Sequence, residues 1–232
     1  MINDYFDKIY IINLPDAQKR RHSIAKEMSE HDINFTFFQA TSKTDIVDDY
    51  SEMNTRMSMT EVACAYSHFK IYNDIVEKKY SNALILEDDV IIDNNVYEDI
   101  TKIINNIPNR WDLLYWGGND YFKIDYRYYY HNIYEVLFAK NAPKNKFEFF
   151  FRLGNMYLPY SKYFRISCGR WGAYAYSVTL RFAESLINNK KRISKSSDRN
   201  LNDHIKDIRC FELKKWLFLH KGVHQSQIEH YT

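Results

Sequence analysis

Cysteine is scarce in this chain of 232 residues: Cys64, Cys168 and Cys210 are the three thiols. They are odd in number, far apart and without paired metal-type spacing. A disulfide framework is therefore not expected, and a reducing compartment is. Glycine is rare too, with six in all. The pair Gly117-Gly118 is too little for a P-loop, and no Gly-Lys-Ser or Gly-Lys-Thr follows it. No apolar run approaches the roughly 20 residues of a membrane-spanning helix. The N-terminus is acidic, and the apolar run at residues 9–14 is too short for a secretory signal. The expectation is a soluble, cytoplasmic protein, at most peripherally attached to the inner face of a membrane. Charge of one sign is also missing. The net charge is +2 with Lys and Arg dispersed, apart from one run at residues 190–192, which leaves no track for nucleic acid.

What is abundant is aromatic. Phe, Trp and Tyr make up 17% of the chain, and 20 residues are Tyr. Many of them fall between Tyr115 and Tyr176. Rings with polar tips suit carbohydrate or nucleotide surfaces as well as cores. The length fits one α/β domain, or one domain with an elaborated second half, and is enough to bury a core.

Residues 83–92, Ala-Leu-Ile-Leu-Glu-Asp-Asp-Val-Ile-Ile, organise the rest. A short run apolar on both faces suits a central parallel strand covered by helices. Ligands of open α/β sheets bind outside the carboxyl ends of such strands, where Glu87, Asp88 and Asp89 would sit. Alternation points Glu87 and Asp89 one way and Asp88 the other. Three adjacent carboxylates repel one another, and a hard divalent cation with oxygen ligands would offset that. The plainer alternative is a solvated acidic turn.

Along the chain, residues 8–14 read as a first strand, ended by Pro15-Asp16. A helix over 17–31 follows, with Ile24 and Met28 on one face. Arg20 and Arg21 fall near the strand exit, to meet phosphate or a nucleobase, or simply solvent. Residues 34–40 read as a second strand and 41–55 as a polar loop. Ser58 and Glu61 form a capping box for a helix to about residue 79. Its apolar stripe is Ala65, Phe69, Tyr72 and Val76, with Ile75 alongside. Cys64 and His68, four apart, share a face. A helix over 97–106, a strand over 111–116 and a strand over 170–176 come next. Ser177 or Thr179 would cap a helix over 180–189. Asp198 heads a short helix to about 207, and 209–219 reads as a last strand. Alternating strands and helices predict an α/β doubly wound core.

Four blocks in order, from about residue 8 to 201, resemble glycosyltransferase family 25. These are the lipooligosaccharide-type galactosyltransferases and their collagen-modifying relatives. The blocks are Ile12-Asn13-Leu14 with Arg20-Arg21; Thr60 to His68; Ala83 to Val90; and Gly172 to Tyr176 with Asp198 and Leu201. Thr60 and Ala63 stand where the family usually shows glycine, and 121–164 matches nothing in it.

The resemblance implies a GT-A-like (Rossmann-like) α/β fold with a mostly parallel central sheet, helices on both faces and an aromatic-rich insertion. It implies a single transferase domain, residues 1–118 serving donor and metal and 119–232 the acceptor. The donor would be a nucleotide sugar, UDP-galactose first, and the acceptor a saccharide or glycolipid such as lipooligosaccharide. Mn²⁺ or another divalent cation would be held by Glu87 and Asp89, as a Lewis acid for the departing diphosphate. Asn13, Arg20, Glu61, His68 and Asp88 would bind the nucleotide and its metal. Transfer would be inverting, and Asp198 would deprotonate the acceptor. Asp203 and Asp120 are rivals for that role, and Asp198 could simply be a helix cap. His220 and His224 could add a metal ligand. Two other functions use the same residues: a metal-dependent phosphohydrolase or nuclease, and a carbohydrate- or nucleotide-binding protein without catalysis.

Overall fold

The computed structural model describes residues 2–47, 57–118, 159–167, 169–170, 172–188 and 195–221. Most of the aromatic segment 121–164, together with Asp120, Cys168 and His224, lies outside the described residues.

A short helix, α1 (Ile2–Tyr5), precedes β1 (Lys8–Asn13). β1 pairs in parallel with β2 (Thr36–Gln39) on one side and β3 (Asn82–Glu87) on the other. Parallel neighbours need crossovers. α2 (Gln18–Glu30) joins β1 to β2, and α3 (Met59–Lys78) leads into β3. The two helices lie on opposite faces. Arg21 of α2 stacks over Phe37, which pairs with Ile11. Tyr10 points to the other face, where its hydroxyl donates to Asp74 of α3. β3 is thus covered on both sides, and Ala83, Leu84, Ile85 and Leu86 are fully buried. That double cover is why its sequence shows no polar break.

Downstream come β4 (Val90–Ile92), α4 (Asn94–Tyr97), α5 (Ile100–Asn105), β5 (Leu113–Tyr115), β6 (Phe164–Ile166) and β7 (Ala175–Thr179). Then follow α6 (Leu180–Asn188), α7 (Ser197–Asp203), β8 (Cys210–Leu213) and β9 (Phe218–His220). Among the described residues the main sheet runs β2-β1-β3-β7-β5-β8-β6, and β4 pairs with β9 in a small second sheet. Pairing directions make five of the seven strands run one way, with β6 and β7 opposed. The fold is α/β with a mostly parallel sheet.

Several elements differ from their expected bounds. The strand expected over 170–176 begins at Ala175, because Gly169 and Gly172 hold φ of +93° and +82°; extended strand needs negative φ. The run 83–92 is two strands, broken by a turn at Asp88-Asp89. The helix over 97–106 is two pieces, the first capped by Asp93, whose side chain accepts from the amides of Asn95 and Val96. Residues 209–219 are also divided, between two different sheets.

Candidate functional site

The carboxyl ends of β1 and β3 open on a cleft of about 520 Å³. The α2 loop, α3 and the acidic turn wall it. Glu87 pairs in register with Ile12 and so faces α3, where its Oε1 lies 3.5 Å from Nε2 of His68. Asp88 turns to the α2 face, as alternation predicts. Its Oδ2 accepts from Asn13 Nδ2 at 2.6 Å and lies 3.4 Å from Arg20 Nε. Arg21 in turn donates to Asn13 Oδ1 at 3.3 Å, so β1, α2 and the turn are tied together. Burial pushes the Asp88 carboxyl up to about 6, although Asn13 and Arg20 pull it down. The nearby Asp89 and Glu87 charges add to the rise.

Asp89 lies in the turn between β3 and β4. Its Oδ2 lies 3.3 Å from His220 Nε2 on β9, and its carbonyl accepts from the Lys221 amide at 2.9 Å. The hydrogen bond to Asp89 raises the His220 pKa, more than burial lowers it. Asp89 Oδ1 is buried without a hydrogen-bond partner. A buried carboxylate oxygen left unpaired is costly, and a cation would satisfy it. The all-oxygen donors of this turn suit a hard divalent ion, so the residues present fit the expected metal.

His68 is buried at the cleft floor. Its Nδ1 lies 2.7 Å from the Tyr176 hydroxyl, which meets the Tyr72 hydroxyl at 2.6 Å. Cys64 sits one turn earlier on the same face. Burial pushes its thiol well above the ordinary value, the Glu87 charge adds to that, and a Ser197 hydrogen bond opposes it. Glu61 is turned away from the cleft: its Oε2 accepts from Ser58 N at 2.8 Å and Ser58 Oγ at 3.0 Å, the expected capping box. Asp198 lies in the first turn of α7, beside Cys64. It accepts from Gly172 N at 3.2 Å, Ser196 Oγ at 2.6 Å and its neighbour Arg199 N at 2.7 Å. Asp203 instead pairs with Lys195 at 2.7 Å on the exposed side. Asn13, Arg20, His68 and the acidic trio are therefore brought together, and Glu61 is not. The part played by Tyr176 was not legible in the sequence, because the β3–β7 register places it. Cys64 was legible from its spacing to His68.

Acids at the exit of a central strand, an arginine from α2 and a cleft between them define an α/β protein with a ligand-sized opening at the carboxyl ends of its parallel strands. Comparison narrows the class. The profile of glycosyltransferase family 25 (LPS biosynthesis protein) matches residues 6–201, and the chain belongs to that family. The expected GT-A-like fold agrees with this membership and with the sheet described above. The chain is 22% identical over 129 residues to human procollagen galactosyltransferase 2, covering 48% of this chain and 21% of that protein. It is 23% identical over 129 residues to human inactive glycosyltransferase 25 family member 3, covering 48% and 22%. The matched stretch spans about a fifth of the length of these relatives. A galactosyltransferase solved with donor and acceptor sugar analogues is 13% identical, with a TM-score of 0.37 over 84% of this chain and 69% of that one.

Proposed function

We propose that this chain transfers a glycosyl group from a nucleotide sugar, UDP-galactose first, to a saccharide or glycolipid acceptor. The observation that carries this is the acidic turn at the exit of β3. It has Asn13 and Arg20 on one side and the unpartnered Asp89 Oδ1 on the other. Asp89 and Glu87 would hold a divalent cation such as Mn²⁺. When bound, that cation offsets the charge gathering on the departing diphosphate. Arg20 and Asn13 orient the nucleotide and hold Asp88 in place. Asp198, anchored to Gly172, takes the proton of the acceptor hydroxyl, and a single in-line attack inverts the anomeric centre. Residues 1–118 serve the donor and 119–232 the acceptor.

The test is turnover of UDP-sugars by the purified chain with Mn²⁺. Asp89→Ala is expected to cost at least ~100-fold, the scale of losing one preorganised electrostatic contact. Full turnover in that variant, or in excess chelator, overturns the reading. One observation favours a second reading, binding without catalysis. Thr60 and Ala63 place side chains on the cleft wall where the family usually has glycine. Donor binding by calorimetry with no turnover on any acceptor would support that alternative.

A further inference from the structure

We propose that Cys64, His68 and Glu87 form a second site, overlapping the acidic turn at Glu87, for a borderline divalent metal of the Zn²⁺ class. One ligand atom from each lies within 4.8 Å of the others. Metal–ligand bonds of about 2.0–2.3 Å require only a small side-chain adjustment from there.

A second observation points the same way. His68 is 1% exposed, and its Nε2 has no hydrogen-bond partner. Glu87 Oε1, at 3.5 Å, is too far to serve as one. The other ring nitrogen is engaged by Tyr176, which Tyr72 fixes in turn. The tautomer that donates Nδ1–H to Tyr176 leaves the Nε2 lone pair facing Glu87 and Cys64. Metal-binding histidines are oriented by such a bond at the far nitrogen.

The donor set decides the metal class. Sulfur, nitrogen and one carboxylate favour Zn²⁺ over the hard ions that suit all-oxygen ligands. Three protein ligands leave a coordination position for water or a ligand from the cleft that these residues line. Glu87 is common to this site and to the donor cation. On the proposed function, Zn²⁺ here draws Glu87 away and weakens Mn²⁺-supported donor binding.

The experiment uses the metal-stripped full chain, with Zn²⁺ and Co²⁺ alone as probes. Zn²⁺ is titrated against a chromophoric chelator, and Co²⁺ is followed by absorption. One equivalent is expected to bind, with a thiolate-to-cobalt charge-transfer band. Cys64→Ser and Cys64→Ala, their fold checked by circular dichroism, are expected to lose the band and bind Zn²⁺ at least ~10-fold more weakly. In the unaltered chain, Zn²⁺ is expected to slow alkylation of Cys64, read by peptide mass spectrometry. Asp89→Ala is expected to leave all three readouts in place. Absence of the band, its survival in both Cys64 variants, or unslowed alkylation overturns the proposal. So does a Zn²⁺ loss in Asp89→Ala equal to that in Cys64→Ser, which would put the metal on the acidic turn. Failure of the transferase reading is separate: Mn²⁺ and donor then have no effect while Zn²⁺ still binds.

Discussion

Asp74 accepts two hydrogen bonds, from Tyr10 across the sheet face and from Lys78 one turn along α3. Burial would raise its carboxyl, but the two donors outweigh it and hold the pKa below the ordinary 3.8. A carboxyl depressed in the native state contributes stability above its unfolded pKa of about 3.9, lost as pH falls through the native value. Asp74→Asn is therefore expected to lower the melting temperature at pH 7. The gap to the parent should close below pH ~4, which paired thermal melts across pH would show. Tyr176 is a different case, since its hydroxyl serves both His68 and Tyr72. Tyr176→Phe leaves two buried polar groups short of a partner. Urea unfolding is expected to register a loss of ~1–3 kcal/mol.

Elements place these residues, and one close approach governs the rim of the site. A Cβ on Gly117 would come within 2.5 Å of the Phe218 carbonyl and 2.6 Å of the Tyr174 ring. Phe218 opens β9, the strand that brings His220 to Asp89. Gly117→Ala is expected to cost ~1–3 kcal/mol by overpacking. It should also move His220 off Asp89, seen in unfolding curves and in the His220 imidazole resonances. The best-read elements in the sequence were those whose signal is local. The Ser58 capping box marked the start of α3, and the apolar run 83–86 marked β3. The core face of α3 was read less well: Val62 and Ile71 are buried, while Phe69 and Val76 are only partly so. The divided β8 and β9 were illegible, because only pairing with β5, β6 and β4 separates them.

On the scale of the whole molecule, β7 enters from the second half of the chain and runs antiparallel between β3 and β5. No local pattern encodes that order, since partners more than 60 residues apart decide it. The acidic trio could be found from the sequence. Its partition could not: His68 for Glu87, Asn13 and Arg20 for Asp88, His220 for Asp89. Ligand linkage offers a global test. UDP-sugar is expected to raise the melting temperature only when Mn²⁺ is present, by about 2.7 kcal/mol of stability at 100 times Kd. Thermal shift with each component alone and together would check it.

Among the described residues, Lys221 both donates its amide to Asp89 and reaches Ser23 in the middle of α2. Residues about 200 positions apart thus meet across the acidic turn. A nascent chain still short of this point on the ribosome can pair β1, β2 and β3, yet lacks these ties across the acidic turn. Closure of the acidic turn thus waits for β9 and is not complete with the first folded strands.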